Sequence, residues 1–272
     1  MRLMKLRIFF VLIGFTFFGI SIAQSKEIKS DTIFNTIDSA GLKQGFWKKF
    51  YPNENIRYTG QFNNNKPIGE FRRYYEEKGL QSILIYDEDG KSSAVEFYYN
   101  NGELAATGKY IGTEKDGVWK YYSYYGGFLS KEEHYKIGKK NGASHDYYEN
   151  GTISQEIIWQ NGVKNGIWKI WFSDASLQLE THYINGILNG GFTTYYPDGT
   201  VEIQGVYKDN IRIGSWEYTD LKTKEIRTIK YINGLPENQD EIDKKFLESM
   251  EEYEKNKNKI KEPDLNDFNI KR

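Results

Sequence analysis

Apolar and polar residues alternate along most of this chain in short runs separated by turn signals. Leu177, Leu179, Thr181 and Tyr183 share one side of a run while Gln178, Glu180 and His182 share the other. That period of two marks a half-buried strand. Val201, Ile203, Gly205 and Tyr207 repeat the pattern further along. The runs are punctuated by Asn-Gly at 101–102, 141–142, 150–151, 161–162, 165–166, 185–186, 189–190 and 233–234, and by Asp-Gly at 89–90, 116–117 and 198–199. These dipeptides accept positive φ and suit the primed turns that join twisted antiparallel strands. The pattern predicts β-hairpins in succession.

The hairpins recur at a fixed period. Units open at Gly45, Gly69, Ser93, Gly117, Gly142, Gly166, Gly190 and Gly214, spaced by 24 residues with a single step of 25. Seventeen residues into each comes a ring: Phe62, Tyr86, Tyr110, Tyr135 (one later, after the extra residue), Trp159, Tyr183, Tyr207 and Tyr231. Two residues in stand Trp47, Phe71, Val95, Trp119, Ser144, Trp168, Phe192 and Trp216; five in stand Phe50, Tyr74, Tyr98, Tyr122, Tyr147, Trp171, Tyr195 and Thr219. Self-similarity of this kind signals a repeat architecture. The expected fold is all-β, a repetitive antiparallel β-hairpin array forming a single elongated twisted sheet of about eight 24-residue units over residues 45–236, with a C-terminal α-helix. Gly60, Gly108 and Gly205 share one repeat position, where an absent side chain leaves room for a neighbouring ring.

Gly166-Ile-Trp-Lys-Ile-Trp-Phe, Tyr183-Ile-Asn-Gly-Ile-Leu-Asn-Gly and Tyr195-Tyr-Pro-Asp-Gly-Thr carry a resemblance to the MORN-type repeat in its bacterial variant, found in YwqK-like antitoxin proteins. The resemblance spans roughly residues 38–236. It implies a hairpin array that contacts proteins or lipids, with no catalytic residues. An antitoxin-like role would require a toxin acting outside the cytoplasm. Ser93-Ala-Val and Gly142-Ala-Ser depart from the Gly-x-Trp opening, so the third and fifth units are expected to pack more loosely.

The two ends differ from the middle. Residues 24–44 form an N-terminal segment with a degenerate half-repeat, in which Asp38 stands where the ring belongs. A polar end of this kind stops an array from propagating. At the other end, Asn238-x-x-Glu241 opens a capping box, and Ile242, Phe246, Met250, Tyr253 and Ile260 recur at near-helical spacing. Residues 237–262 are therefore predicted to be an amphipathic helix capping the last hairpin's edge, with docking on a partner as the sharper reading. Pro263 stops it, and 263–272 form a tail predicted to be mobile.

Composition fits such an array. Apolar residues make up 38 %, below the usual roughly 45–50 %, yet aromatics reach 16 % with 22 Tyr, 16 Phe and 6 Trp. Rings of this number supply the surface that a single-layer sheet must bury. Zero Cys excludes thiol catalysis, Cys-zinc sites, disulfides and a lipidated cysteine. The net charge of −1 offers no field to hold nucleic acid. Residues 1–23 read as a signal peptide: Arg2, Lys5 and Arg7, an apolar stretch from Ile8 to Phe18, then Ser21 and Ala23 before the cut. Its removal takes the charge to −4 and leaves no integral membrane span, so the mature chain is expected to be exported: periplasmic, at the cell surface or secreted.

No Gly-x-Ser-x-Gly, phosphate loop, zinc-binding His-Glu-x-x-His or dinucleotide fingerprint is present, and no cofactor or metal is expected. His134 and His182 lie too far apart along the sheet to share a metal, and Asp87-Glu88-Asp89-Gly90 reads as a solvated turn. Glu132, Glu156 and Glu180 share one register, a solvated carboxylate row that a hydrolase could use in principle. The favoured expectation is a scaffold without catalysis that binds an unidentified protein partner. Position six of the repeat, next to the inner turn, supplies the candidate contacts Tyr51, Tyr75, Tyr99, Tyr148, Phe172 and Tyr196. Binding of glycans or lipid headgroups by the same rings is the alternative, and the plainer reading is that these rings cover the sheet edge.

Overall fold

The computed structural model describes residues 33–256. The N-terminal segment supplies β1 (Thr36–Ile37), and the first four units supply β2 (Lys43–Phe50), β3 (Ile56–Asn63), β4 (Lys66–Tyr74), β5 (Leu80–Tyr86), β6 (Ser92–Tyr98), β7 (Leu104–Ile111), β8 (Glu114–Tyr122) and β9 (Leu129–Lys136). They are followed by β10 (Lys139–Tyr147), β11 (Ile153–Gln160), β12 (Val163–Trp171), β13 (Leu177–Ile184) and β14 (Ile187–Tyr195). The last are β15 (Val201–Lys208), β16 (Ile211–Thr219), β17 (Ile226–Ile232) and β18 (Leu235–Pro236), before helix α1 (Gln239–Asn256). Each strand pairs antiparallel with the next, giving one 18-stranded sheet of hairpins.

Two kinds of connection alternate, except that a five-residue turn at 87–91 joins β5 to β6. At one end of the strands are two-residue turns such as Asn161-Gly162, Asn185-Gly186 and Asn233-Gly234, with φ of 50° and 87°, 51° and 83°, and 51° and 87°. Both central residues of a type I′ turn need positive φ, which Asn and Gly adopt at low cost. At the other end are loops of six residues at 123–128 and 220–225 and otherwise of five, the five-residue loops each closed by a pair of backbone bonds. In one, the Tyr148 N–H donates to the Thr152 carbonyl at 2.9 Å and the Gly151 N–H to the Tyr148 carbonyl at 2.9 Å. Loops starting at Tyr51, Tyr75, Tyr99, Phe172 and Tyr196 repeat this closure.

The core lies on the ring-bearing face. Phe71, Leu84, Val95 and Trp119 are buried, with Tyr58, Phe62, Tyr86, Phe97, Tyr110, Tyr121 and Tyr135 packed around them. Edge-on contacts link the rings, with centroids 5.1 Å apart for Phe62–Phe71, 4.9 Å for Tyr110–Trp119 and 5.0 Å for Tyr207–Trp216. Side-chain volume is traded across several unit boundaries, though not where Trp168 faces Ile157. The second residue of a unit faces the fifteenth of the unit before, so Phe71, Trp119 and Trp216 lie over Gly60, Gly108 and Gly205. A Cβ placed on those glycines would fall 2.4, 2.3 and 2.2 Å from the ring. Where the second residue is small, the partner is larger: Val95 pairs with Leu84, and Ser144 with Glu133.

This trade corrects the expectation for the third unit. Val95 is 2 % exposed and Ser93 3 %, because Leu84 fills the space that a ring takes elsewhere. The fifth unit has no ring at this place, and the buried Glu133 occupies it.

At the N-terminal edge β1 covers only Lys43 and Gln44 of β2. Asp38, the residue in the ring's place, organises the turn between them. Its carboxylate accepts from the Ala40 and Leu42 N–H groups at 2.9 Å each and from Gln44 Nε2 at 2.8 Å. The Gln44 amide first, then the Leu42 N–H, holds the Asp38 carboxyl below its usual range.

Helix α1 follows Asn238, whose carbonyl accepts from the Glu241 and Ile242 N–H groups. Its apolar stripe is exposed: Ile242 41 %, Phe246 62 %, Leu247 61 % and Met250 44 %. The expected cap over the last hairpin is therefore not formed by this stripe. No helix among the described residues is long and apolar enough to cross a membrane. The expected leader 1–23 and tail 263–272 lie outside the described residues, as do positions 257–262 of the expected helix.

Candidate functional site

The loop ends of the strands carry the position-six rings, and their surroundings are regular. The hydroxyl of each tyrosine donates to the backbone carbonyl of the fifth residue in the next unit. Tyr51 donates to Tyr74 at 2.9 Å, Tyr75 to Tyr98 at 2.7 Å, Tyr99 to Tyr122 at 2.7 Å, Tyr148 to Trp171 at 2.8 Å and Tyr196 to Thr219 at 2.9 Å. Phe172 keeps the ring but has no hydroxyl to give. All six side chains are half-buried. The row thus fastens consecutive hairpins along the loop edge, and only ring faces and edges are left for a ligand. Tyr75 and Tyr99 line an open groove with Asn53, Glu76, Glu77, Lys78 and Asn100. Tyr196 lines another with Tyr218, Asp220, Glu225 and Arg227.

The fourth unit breaks the row with Ser123, and there two further tyrosines emerge. Tyr124 packs edge-on against Tyr99 with centroids 5.0 Å apart, and Tyr125 packs on Tyr124 at 5.0 Å. Tyr125 is 81 % exposed and Tyr124 40 %. Repeat alignment missed this pair because it follows the position of the extra residue. The signal was Tyr-Tyr-Gly-Gly at 124–127, two rings in a loop lengthened by the one extra residue.

A second feature that alignment missed sits at the turn ends, on the ring-bearing face. Two residues before the unit opening, five units carry a cation that reaches a ring, Lys43, Lys115, Lys140, Lys164 and Arg212, whereas Lys91 pairs with Asp89 at 2.8 Å and Pro67 and Leu188 carry no charge. Lys115, Lys140, Lys164 and Arg212 face Tyr110, Tyr135, Trp159 and Tyr207 across the strand pair. Their charged groups lie over rings: Lys43 is 4.7 Å from the Trp47 centroid, Lys115 4.4 Å from Trp119, Lys140 4.7 Å from Trp159, Lys164 4.9 Å from Tyr183 and Arg212 4.6 Å from Trp216. Burial lowers the Lys115 ammonium below its usual value. The stems shield ring surface while the charges remain near water.

Only Lys140 of the five has a carboxylate partner among the described residues, Glu133 at 2.5 Å. Glu133 is 6 % exposed and also accepts from the Tyr135 hydroxyl at 2.7 Å. Burial alone would raise its carboxyl, but Lys140 and Tyr135 outweigh burial and hold it below the ordinary 4.5. Burial first, then this same carboxylate, pushes the Tyr135 hydroxyl up to about 12. Unlike the outward-facing acids of this sheet, Glu133 is a charged plug in the core row.

The opposite face is self-compensating. Across β8 to β13, Lys120, Glu132, His145, Glu156, Lys169 and Glu180 stand directly opposite one another in turn. Lys120 and Glu132 are 3.7 Å apart, His145 donates to Glu156 at 2.8 Å, and Lys169 lies 3.0 Å from Glu180. The carboxylate row read from the sequence thus alternates with lysine and histidine in a cross-strand ladder, whose glutamates lie two strand spacings, about 10 Å, apart. His134 donates from Nδ1 to the Ala143 carbonyl at 2.7 Å, on β9, and His182 lies on β13. No group of three metal-ligating side chains converges among the described residues.

No curated protein matches this chain. The family model described as the MORN repeat variant matches residues 43–64 and 188–209. The first stretch covers β2 and β3 and the second covers β14 and β15, in each case the two strands joined by a five-residue loop. The starts are 145 residues apart, which is six 24-residue periods plus the one inserted residue, so both fall in the same phase of the repeat. At these two places the chain is similar to the MORN repeat variant.

Proposed function

We propose that this protein is a non-catalytic repeat scaffold, exported to the cell envelope, that holds a protein partner along the loop edge of its sheet. The observation that carries the reading is the outward run of rings Tyr99, Tyr124 and Tyr125, ending in a tyrosine that is 81 % exposed. Large amphipathic rings standing clear of the surface are the usual anchors of protein interfaces. The flanking groove at Tyr75 and Tyr99 offers Glu76, Glu77 and Lys78 for a polar rim. Export rests on the leader-like residues 1–23. Neutralising a toxin in the YwqK-like manner would be the special case in which the partner is a toxin outside the cytoplasm.

The test is affinity capture from a solubilised envelope fraction, run in parallel with the wild-type chain and with Tyr125→Ala. Tyr125 touches little besides Tyr124, so the variant should melt within about 0.5 kcal/mol of wild type. One protein retained in stoichiometric amount by wild type and lost by the variant supports the proposal. Equal retention by both, or turnover of a carbohydrate that disappears in Glu156→Gln, refutes it.

A further inference from the structure

The two outer edges of the sheet are finished differently. At the N-terminal edge the outward backbone of β2 is covered. There β1 pairs with Lys43 and Gln44, the Asn35 N–H donates to the Phe46 carbonyl at 2.9 Å, and the Asn35 side chain accepts from the Lys48 N–H at 3.0 Å. At the C-terminal edge β18 pairs only with Tyr231 and Ile232 of β17, and the Glu237 N–H reaches the Lys230 carbonyl at 2.8 Å. That last bond fixes the sense of the whole strand. Successive residues direct their N–H and C=O to opposite sides, so Lys230, Thr228 and Ile226 point theirs away from β16 while Ile229 and Arg227 point theirs towards it. The N–H and C=O groups of Thr228 and Ile226 therefore have no partner among the described residues. Ile226, Arg227 and Thr228 are exposed, so α1 does not cover this stretch.

An open ladder of this kind is a template for one more strand. A second copy of β17 is a poor occupant. The self-pairing that bonds all four free groups sets Ile226 against Thr228 in both directions, and it puts the two copies of Arg227 directly opposite each other, where like charges repel. Arg227 asks for an acid instead. Its guanidinium lies 5.5 Å from the Tyr218 ring centroid and meets no carboxylate within 4 Å among the described residues. Asp220, which lines the adjoining groove with Arg227, is already taken by the Lys222 and Thr223 N–H groups at 2.9 and 2.8 Å. The neighbouring position asks for a ring. Ile229 is the fifteenth residue of its unit, and the fifteenth residue of the fifth unit, Ile157, is faced across the unit boundary by Trp168. We propose that the open edge of β17 binds an extended segment of another protein by antiparallel strand addition, with an acidic residue of that segment opposite Arg227 and an aromatic one opposite Ile229. This edge lies on β17 and not at Tyr125, so the inference goes beyond the partner proposed above and is tested without it.

The probe is the peptide Phe-Thr-Glu-Val-Thr, acetylated at its N-terminus and carrying fluorescein on a C-terminal lysine. It is titrated with the full chain and read by fluorescence anisotropy. Its phenylalanine is set against Ile229, its first threonine against Thr228, its glutamate against Arg227 and its valine against Ile226. Saturable binding is expected. N-methylation of the first threonine, whose N–H points at β17 in the complex, should weaken binding about tenfold, whereas N-methylation of the glutamate, whose N–H points away, should change it less than about twofold. Thr228→Pro removes an outward donor and leaves the bonds to β16 intact. It should weaken binding about tenfold and shift the melting temperature by no more than about 3 °C. Arg227→Glu should also weaken binding about tenfold, and a peptide with lysine in place of glutamate should recover it. Lys109→Gln, an exposed cation on β7, should leave binding unchanged. No binding, equal loss from the two N-methylated peptides, indifference to Thr228→Pro, or no recovery on exchanging the charges would overturn the proposal. So would a dimer of the wild-type chain that Thr228→Pro dissolves, because the edge would then belong to a second copy.

Discussion

Replacing Gly108 by alanine puts the packing between repeats to a direct test. Gly108 has no left-handed backbone, so the substitution strains nothing locally. Its new Cβ would lie 2.3 Å from both Cδ2 and Cε2 of Trp119 and 2.8 Å from Cε3. The nearest of these is roughly 1.2 Å inside the optimum carbon–carbon separation of about 3.5 Å. Trp119 is 1 % exposed and cannot retreat outward without leaving Tyr110, 4.9 Å away, and Lys115, 4.4 Å away. Overpacking costs about 1–3 kcal/mol, and loosening one ring pair and one cation–π contact adds about 1 kcal/mol or more. Alanine recovers about 0.5–1 kcal/mol through the unfolded chain. The net expectation is a loss of about 2–3 kcal/mol, or roughly 4–12 °C in melting temperature for a domain of this size.

Thermal and urea denaturation followed by circular dichroism and tryptophan fluorescence provide the measurement. Gly191→Ala is the matched control, because its Cβ meets nothing within 4 Å and its backbone is not left-handed; it should be neutral or slightly stabilising. The third unit shows how the clash is relieved, with Val95 opposite Leu84 at these same two repeat positions. Gly108→Ala with Trp119→Val should therefore cost at least about 1 kcal/mol less than the two single changes summed. If Gly108→Ala is as stable as wild type, the volume trade across unit boundaries is not what holds the repeats together.

Tyr148→Phe should lose about 1 kcal/mol by denaturation, because the Trp171 carbonyl loses its donor, whereas Phe172→Tyr should gain about 0.5–1 kcal/mol by completing the row onto the carbonyl of Tyr195. Glu133→Gln should be less stable than wild type at pH 7. The native carboxyl lies below its ordinary 4.5, so its stabilisation is complete above that value and fades as pH falls through the native one; the gap between the two proteins should close on acidification, as read from urea midpoints at a series of pH values. Phe246→Ala and Met250→Ala, both in the exposed stripe of α1, should leave the melting of the sheet within about 0.5 kcal/mol of wild type.

The hairpin array was legible from the chain alone because its signals are local. Asn-Gly at 161–162 and 185–186 specifies type I′ geometry through the φ values those two residues tolerate, whatever surrounds them. Alternation such as Leu177 to Tyr183 then assigns each side chain to a face, and the 24-residue period aligns the units. Even the close approach at Gly60, Gly108 and Gly205 could be anticipated, since a recurring gap beside a recurring ring has few other uses.

What the chain could not reveal is how one unit meets the next. The hydroxyl of Tyr148 finds its acceptor 23 residues away, and nothing in the sequence distinguishes that tyrosine from an exposed one. The cations at Lys43, Lys115, Lys140, Lys164 and Arg212 are visible as letters, but their seats over rings depend on the strand register. The amphipathic stripe of α1 foretold a helix, yet periodicity says only that a face is apolar, not that a partner surface exists to cover it. Dihedral preference and side-chain alternation are properties of neighbouring residues and are written in the sequence. Volume complementarity, hydroxyl-to-carbonyl stapling and charge compensation arise between residues that only the assembled sheet brings together, so the tertiary structure alone decided them.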